Sequence, residues 1–269
     1  MGNGSDSVLR FEGVTVKFED VTALKGVSFA VRKSETRIIL GAAGSGKSVL
    51  LKAAMGLVSV ASGKVFLFGD ETTNLPEEEM YEVRSRVGMA FQESALFDSM
   101  TIAQNVAYPL LNQPSIKSKP EQARAKVKEA LEFVELGQTL QKFPSELSGG
   151  MRRRAAIARA VVTKPPLLLY DSPTAGLDPI TAHTIMALII KERDVDQTTA
   201  LVVTHRYQDG NLVANFRYNS QSGNLEPSRQ SDSTRFMVMR EGELIFEGDQ
   251  DELEAASDSY ITKFVKHVD

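Results

Sequence analysis

The octapeptide at residues 41–48 constrains this chain more than any other feature. It reads Gly-Ala-Ala-Gly-Ser-Gly-Lys-Ser and fits the pattern G-x-x-x-x-G-K-[ST], whose backbone N–H groups wrap around phosphate. Glycines permit the close approach of backbone to phosphate, and a helix that begins here adds its positive end to the same site. An apolar strand at residues 36–40 precedes the motif. The chain is therefore predicted to bind a nucleotide where a strand meets a helix.

The residue types in this loop also predict the ligands. Lys47 would neutralise the β and γ phosphates, and the Ser48 hydroxyl would ligate Mg²⁺. ATP and Mg²⁺ are accordingly the predicted cofactors. The predicted cofactor-binding residues of the loop and the start of its helix are Gly41, Ala42, Ala43, Gly44, Ser45, Gly46, Lys47, Ser48 and Val49.

Composition excludes several other classes of protein. The chain has 269 residues with a net charge of −4, which argues against a nucleic-acid binder held by overall charge. It has no cysteine, so disulfides and cysteine-based zinc sites are excluded and the cytoplasm is expected. No uninterrupted apolar run approaches 18 residues, and residues 1–6 show no signal-peptide or myristoylation pattern. Any action at a membrane is therefore expected to go through a partner.

Strands alternate with helices along much of the chain, which predicts a mostly parallel sheet covered on both faces. A helix is predicted from Lys47 to about Leu57 and another over residues 180–191, and helical periodicity dominates residues 101–161. The segment 211–235 is polar, and we interpret it as a surface loop or small hairpin with one arm at residues 215–219. The predicted strands are residues 14–18, 27–31, 36–40, 64–68, 87–91, 167–170 and 199–203.

These elements predict four segments. Residues 1–98 form the first part of a P-loop ATPase core, and residues 99–161 form a helical subdomain. Residues 162–248 complete the core and carry an insertion near 206–235, and residues 249–269 form a C-terminal helical tail. The middle segment is thus predicted to be a helical insertion into an α/β core.

A second glycine-containing motif, Leu-Ser-Gly-Gly-Met at residues 147–151, opens a predicted helix. Small residues at a helix start make an anion site, here formed by Ser148, Gly149 and Gly150. A single domain has no obvious use for two such sites, whereas a head-to-tail dimer places each phosphate loop against the partner's Ser-Gly-Gly. The alternative is that Ser148 only caps its helix.

Three polar residues stand at the ends of predicted buried strands. Asp171 ends an apolar strand, the arrangement that holds Mg²⁺ in P-loop enzymes. Gln92 and His205 follow two other strands at the edge where α/β sheets bind ligands. The alternative for Gln92 and His205 is that they are ordinary polar residues of the surface or core.

The order and spacing of these motifs resemble those of ABC transporter ATPases over roughly residues 9–249. The resemblance implies a P-loop α/β core with a mostly parallel sheet, an antiparallel β subdomain and an inserted helical subdomain. It implies a homodimer on ATP that works with a transmembrane permease dimer. The implied Mg²⁺ ligands are Ser48, Gln92 and Asp171.

The resemblance also implies roles for individual side chains. Phe18 would stack on adenine, and the alternative is that it is a core aromatic. Gln92 would sense Mg²⁺, the attacking water and the permease, while His205 would hold the γ-phosphate. Asp178 would link the two sites of the dimer, and the partner's Ser148, Gly149 and Gly150 would bind the γ-phosphate.

A finer similarity is to the Mla-type lipid-transport ATPases. It rests on residues 91–101 and 105–110, on Met151 in place of the commoner glutamine, and on residues 178–181. This similarity implies phospholipid transport at the cytoplasmic face of a bacterial inner membrane. It also implies a periplasmic lipid-binding partner of the MCE type.

Two departures from the family pattern affect the predicted function. Ser172 stands where the family has a glutamate that activates water, so the predicted catalytic residues are Ser172, His205 and Gln92, with slow turnover. Glu93 or His205 could substitute as the base. The alternative function is an ATP-dependent clamp or regulatory subunit with little turnover. The second departure is the long segment between His205 and Phe236. A third possibility is an ABC protein that acts on ribosomes or DNA. Those proteins typically carry two such domains or a long coiled coil, and neither is found in this sequence.

The basic run at residues 152–154 is interpreted as a solvated helix face rather than a nucleic-acid contact.

Overall fold

The computed structural model describes residues 7–113, 115–230 and 233–266. The predictions for residues 1–6 and for the last three residues of the tail lie outside this description. In chain order the strands are β1 (Ser7–Phe18), β2 (Val21–Arg32), β3 (Thr36–Leu40), β4 (Ser62–Leu67), β5 (Asp70–Glu71), β6 (Val87–Ala90), β7 (Leu167–Asp171), β8 (Thr199–Thr204), β9 (Phe216–Asn219), β10 (Asn224–Pro227), β11 (Thr234–Arg240) and β12 (Glu243–Gly248). The helices are α1 (Lys47–Ala54), α2 (Glu77–Ser85), α3 (Ile102–Asn112), α4 (Pro120–Phe133), α5 (Gly149–Val161), α6 (Pro179–Asp196), α7 (Tyr207–Asn215), α8 (Gln250–Glu254) and α9 (Ser259–Lys266), with 3₁₀ turns at Gly137–Thr139 and Pro144–Glu146.

The larger sheet has the strand order β12-β11-β3-β8-β7-β6. Its strands β11, β3, β8, β7 and β6 run parallel, and only β12 is antiparallel to its neighbour. Every residue of β3, β6, β7 and β8 is buried, which explains why these strands read as continuous apolar runs. The predicted mostly parallel sheet is confirmed, and the carboxyl ends of its strands meet at one edge.

A second, antiparallel sheet has the order β2-β1-β4-β5. The predicted strands at residues 14–18 and 27–31 are parts of two twelve-residue strands. Register shifts between Phe11 and Val16 break the apolar alternation there, so the sequence pattern shows only the regular parts. Helix α1 lies between the sheets, because Leu50 and Leu51 are fully buried in a core shared with both.

Helices α3, α4 and α5 and the two 3₁₀ turns all lie between residues 102 and 161. Helix α3 begins with a capping box in which Thr101 accepts from the N–H of Gln104 and Gln104 accepts from the N–H of Thr101. The buried residues of these helices pack against the face of the parallel sheet that lies opposite to α1. Helix α2 was not predicted. No described helix has the length and apolar content needed to cross a membrane.

The polar segment 211–235 is only partly what the sequence predicts. Strands β9 and β10 do form a small antiparallel hairpin, with Phe216 paired to Pro227. Residues 211–215, however, complete helix α7, where Val213 is fully buried and its carbonyl accepts from Arg193. Thr234 begins β11 in the main sheet. Interpreting the whole segment as a loop was therefore wrong, because its polar residues lie on the exposed sides of elements whose apolar residues are buried.

Candidate nucleotide-binding site

The phosphate loop between β3 and α1 closes around its own lysine. The Nζ of Lys47 donates to the carbonyl oxygens of Gly41 and Ala42, both at 2.8 Å, and to Ser45 Oγ at 3.3 Å. Gly46 has a φ of +103°, and a Cβ placed on Gly41 would lie 2.5 Å from the carbonyl oxygen of Met239. Glycine is therefore required at both positions, one for conformation and one for space.

Burial changes the acidity of this lysine. Desolvation lowers the pKa of Lys47 from 10.5 to about 8, and the nearby negative charge of Asp171 opposes that shift. A bound phosphate would act in the same direction as Asp171 and favour the charged ammonium. The loop is thus suited to an anionic ligand.

Asp171 and Ser48 meet beside the loop. Asp171 ends β7 and is 6% exposed, and its Oδ1 accepts from Ser48 Oγ at 3.0 Å. A carboxylate and a hydroxyl are hard oxygen donors of the kind that Mg²⁺ prefers. In the described part of the chain, no group of three or more histidine or acidic side chains could hold a metal ion. The pair therefore fits an ion that takes most of its remaining ligands from water and phosphate oxygens.

A cavity of about 840 Å³ lies over the phosphate loop. It brings together Gln92, Ser172 and His205 from three separate connections at the carboxyl edge of the sheet. The other residues that line it are Val21, Thr22, Ala23, Lys25, Ala42, Ala43, Gly44, Gly46, Lys47, Ser48, Val49, Ala175, Glu241, Gly242 and Phe264.

Ser172 is held in an unusual conformation at this cavity. Its φ is +47°, in the left-handed region, and its N–H donates to the carbonyl oxygen of Val203 at 2.9 Å. Its hydroxyl donates to Asp171 Oδ1 at 3.3 Å. Glu93, the residue suggested as a substitute base, is exposed and lies outside the described cavity lining.

Other predicted site residues lie elsewhere. Phe18, at the end of β1, is 45% exposed and lies outside the described lining, so the core-aromatic alternative is wrong. The start of β2, at Val21, Thr22 and Ala23, lines the cavity instead.

The Ser-Gly-Gly segment and Asp178 form a separate surface outside the described cavity lining. Ser148 caps α5, its Oγ accepting from the N–H of Met151 at 3.3 Å. Asp178 caps α6 by accepting from Thr181, and these hydrogen bonds lower the pKa of Asp178. A Cβ on Gly150 would lie 2.5 Å from Thr181 Cγ2, so the two helix starts are side by side.

Arg153 was missed as a functional residue. Its guanidinium donates to the carbonyl oxygens of Ser172 at 2.8 Å, Pro173 at 3.0 Å and Ala175 at 3.1 Å. Burial lowers the pKa of Arg153. The interpretation of residues 152–154 as a solvated face is therefore wrong for Arg153, and no sequence signal distinguishes it from Arg152, which is exposed.

Helix α9 also reaches the site, which the sequence does not predict. The hydroxyl of Tyr260 accepts from the N–H of Ala42 at 2.9 Å and donates to the carbonyl oxygen of Met239 at 3.1 Å. Phe264 lies against Tyr260, with ring centroids 5.2 Å apart, and lines the cavity. The tail therefore contributes one wall of the candidate site.

Comparison with known proteins identifies relatives of this arrangement. The family model described as "ABC transporter" matches residues 24–175. The methionine import ATP-binding protein MetN of Corynebacterium glutamicum is 39% identical over 205 residues, covering 74% of this chain and 56% of MetN. The probable ribonucleotide transport ATP-binding protein mkl of Mycobacterium leprae is 37% identical over 197 residues, covering 73% of this chain and 56% of mkl. The chain thus spans little more than half the length of these curated relatives.

Solved structures show the same fold. A dimeric post-hydrolysis state of the ATP-binding cassette MJ0796 bound to ADP and Pi superposes with a TM-score of 0.75 at 30% identity. The match covers 90% of this chain and 98% of that structure. The structure of cbiO1 from Clostridium perfringens, part of the ABC transporter complex cbiONQ, gives a TM-score of 0.77 at 26% identity and covers 97% of this chain and 95% of cbiO1.

Proposed function

This chain belongs to the ABC transporter family, and on that premise we propose that it is the ATP-binding and ATP-hydrolysing subunit of a transporter. One observation carries the proposal. Lys47, Ser48, Gln92 and His205 line one cavity, and Ser48 bonds to Asp171 at its edge. These residues come from four different connections in the chain, so their convergence depends on the fold.

The chemistry of this convergence suits ATP. Lys47 and the loop N–H groups would hold the β and γ phosphates, and Ser48 with Asp171 would hold Mg²⁺. Bound Mg²⁺ would neutralise charge on the phosphate oxygens. Gln92 and His205 would orient the attacking water and the γ-phosphate. Phosphoryl transfer depends mainly on such positioning and charge, so the arrangement supports hydrolysis.

We propose that the working form is a homodimer closed by ATP. In one protomer the Ser148-Gly149-Gly150 surface lies outside the cavity lining, so a second copy must supply it to the nucleotide. The solved relative MJ0796 is dimeric, which supports this proposal.

Light scattering of the chain with Mg-ATP, read before hydrolysis is complete, tests this function. We expect the mass of a dimer with ATP and of a monomer without it. Ser148→Arg should abolish the dimer, because the added side chain occupies the helix start that must approach the γ-phosphate. Ser259→Arg, an exposed serine at the start of α9, serves as the control and should still dimerise. A dimer that ignores both nucleotide and Ser148→Arg would place the interface elsewhere.

A separate transmembrane permease dimer is the proposed partner, at the cytoplasmic face of a bacterial inner membrane. The exposed aromatic pair Phe97 and Tyr108, with ring centroids 4.8 Å apart, supports a docking site for an apolar surface of the permease. Such a pair is the kind of anchor that interfaces use.

Phospholipid is our proposed cargo, with an MCE-type lipid-binding protein in the same complex. This rests on the Mla-like residues at 91–101, 105–110 and 178–181, whereas the two relatives are named for methionine import and ribonucleotide transport. Co-purification with the native permease, followed by ATPase assays with phospholipid, methionine or ribonucleotide, would test it. Stimulation by methionine or ribonucleotide alone would refute the lipid proposal.

The second candidate function is an ATP-dependent clamp or regulatory subunit with little turnover. Ser172 motivates this alternative. Its hydroxyl donates to Asp171, and the position offers no carboxylate that could accept a proton from water. A steady-state ATPase assay discriminates the two, since a clamp would dimerise on ATP yet release almost no phosphate.

A further inference from the structure

The loop that carries Ser172 and the turn that carries His205 share one buried carboxylate. Asp209, in the first turn of α7, is 1% exposed. Its Oδ2 accepts from Thr174 Oγ1 at 2.5 Å and from Thr204 Oγ1 at 2.7 Å. Thr174 lies two residues after Ser172, and Thr204 directly precedes His205. One oxygen atom therefore joins the two segments.

The direction of each hydrogen bond follows from the groups present. Both threonine hydroxyls donate, and Asp209 Oδ2 accepts from each of them. Thr204 Oγ1 keeps a lone pair, and with it accepts from the N–H of Arg206 at 3.1 Å. The guanidinium Nε of Arg206 lies 3.7 Å from Asp209 Oδ1, so the carboxylate also has a cation beside it. The network thus fixes the turn on both sides of His205.

The parallel strands alone do not fix these segments. Strands β7 and β8 are paired up to Asp171 and Val203, and the last backbone bond there runs from the Ser172 N–H to Val203. Beyond that point, the Ala175 N–H donates to the carbonyl oxygen of Ser172 at 3.1 Å, and side chains from other elements hold this turn in place. Arg153 holds the loop from α5, and Asp209 holds it from α7.

We propose that Asp209 is a positioning residue for ATP hydrolysis, an inference that rests on the proposed function. Asp209 lies outside the described cavity lining, so it acts through Thr174 and Thr204 on the loop of Ser172 and on His205. Misplacing a reacting group by about 1 Å can lower a rate by about a hundredfold. Weakening the two hydrogen bonds to this shared oxygen should therefore slow hydrolysis while leaving the phosphate loop intact.

Asp209→Asn is the primary test, because asparagine keeps the size but lacks the charge and the second accepting oxygen. We expect the single-turnover rate of ATP hydrolysis to fall by about tenfold, with the Kd for ATP within about twofold of wild type. The matched control is Glu192→Gln. Glu192 is another buried carboxylate that accepts from a threonine, Thr198, and it lies outside the cavity lining. It should leave both the rate and the Kd unchanged.

Threonine variants test the shared oxygen without altering the carboxylate. Thr174→Val and Thr204→Val should each slow hydrolysis, and the double variant should be little slower than the slower single variant, since either change uncouples the segments. Thr174→Ser keeps the hydroxyl and should restore nearly the wild-type rate. Independent, additive losses would overturn the proposal, as would a rate that falls only in proportion to ATP affinity.

Hydrogen exchange gives a readout that does not need turnover. In Asp209→Asn, the amides of Ser172, Thr174, Ala175 and residues 204–206 should exchange faster together, whereas Glu192→Gln should leave both segments unchanged. Unchanged exchange at these segments would overturn the bracing role. A wild-type chain that binds no ATP would instead refute the proposed function, and the exchange data would still decide the role of Asp209.

Discussion

The phosphate loop and the loop at residues 172–175 face the same cavity but are held in different ways. The phosphate loop is held mainly from within, by Lys47 on the carbonyls of Gly41 and Ala42. The second loop is held by Arg153, some twenty positions earlier, and by Asp209, 35 positions after Thr174. The phosphate loop is thus held mostly by neighbouring residues, with one bond from Tyr260 of α9, whereas the other loop is held by side chains from two distant helices.

We expect this difference to separate ATP binding from turnover. The phosphate loop offers the cation and the N–H groups that would hold phosphate, so a change there should alter affinity. The loop at residues 172–175 carries Ser172 and is joined through Asp209 to the residue before His205. A change there should therefore alter the rate of hydrolysis and leave the affinity for ATP unchanged. Substitutions and a pH titration can break or sharpen this comparison.

The largest effect is expected for Lys47→Ala. Hydrogen bonds to charged groups contribute about 1.5–3 kcal/mol, so we expect ATP affinity to fall by about a hundredfold. Isothermal titration calorimetry would measure it. Lys52→Ala, which removes an exposed lysine from the same helix, should bind ATP like wild type. Equal affinity for Lys47→Ala and wild type would mean that this loop does not hold the phosphates.

Ser172→Glu should raise the single-turnover rate by at least about tenfold without changing the Kd for ATP. A positioned general base contributes about 10²–10⁴-fold, and a serine hydroxyl lacks the basicity to act as one. Ser172→Gln matches glutamate in size without its basicity and should give no increase. If Ser172→Glu is no faster than wild type, another group already accepts the proton from water.

The affinity for ATP should decrease with pH in the alkaline range. Because burial lowers the pKa of Lys47 to about 8, the free loop loses its charge above that pH, and ATP must then bind together with a proton. We expect affinity to fall by about eightfold between pH 7.5 and 9, with uptake of about half a proton at pH 8. Calorimetry in buffers of different ionisation enthalpy measures this uptake. A binding enthalpy at pH 8 that is the same in all of these buffers would contradict it.

The same shift has a defined sign for stability. The folded-state pKa of Lys47 lies below its ordinary value of 10.5, so the unfolded chain binds more protons between about pH 8 and 10.5. The unfavourable contribution of this buried cation is present below pH 8 and disappears as the pH rises through that window.

The smallest effect is expected at the tip of the β9–β10 hairpin, another loop held by its own residues. Asn219 accepts there from the N–H groups of Gln221 and Ser222. Replacing residues 220–223 with Asn-Gly should shift the melting temperature by less than about 2 °C, because surface changes are usually within about 0.5 kcal/mol. Calorimetry of the two chains would measure it, and a larger loss would show that the tip packs on the body.

Replacing all of residues 211–235 should instead prevent folding. That change removes the end of α7 and the first residues of β11, which the hydrophobic core needs. Composition alone does not reveal this, because nothing in a polar segment marks where a helix or strand begins or ends.

The sequence predicted the positions of some residues of the site better than those of others. Lys47, Ser48 and Asp171 were predicted as neighbours, and the structure places them so, because glycine spacing and an apolar strand that ends in a carboxylate are local signals. Phe18 was predicted beside the nucleotide, and the structure places it outside the cavity lining in this single chain. Its assigned contact with adenine stays a prediction, as do the roles of Ser148, Gly149, Gly150 and Asp178.

The sequence by itself determined the phosphate loop, the buried strands and the edge where they end, because backbone conformation and burial follow from neighbouring residue types. Only the tertiary structure decided which side chains brace that edge. Arg153, Asp209 and Tyr260 lie in ordinary polar or amphipathic helical segments, and nothing in their spacing distinguishes them from solvated residues. Their partners are backbone carbonyls, an amide and threonine hydroxyls from distant parts of the chain, and such groups come within hydrogen-bonding distance only when the helices pack.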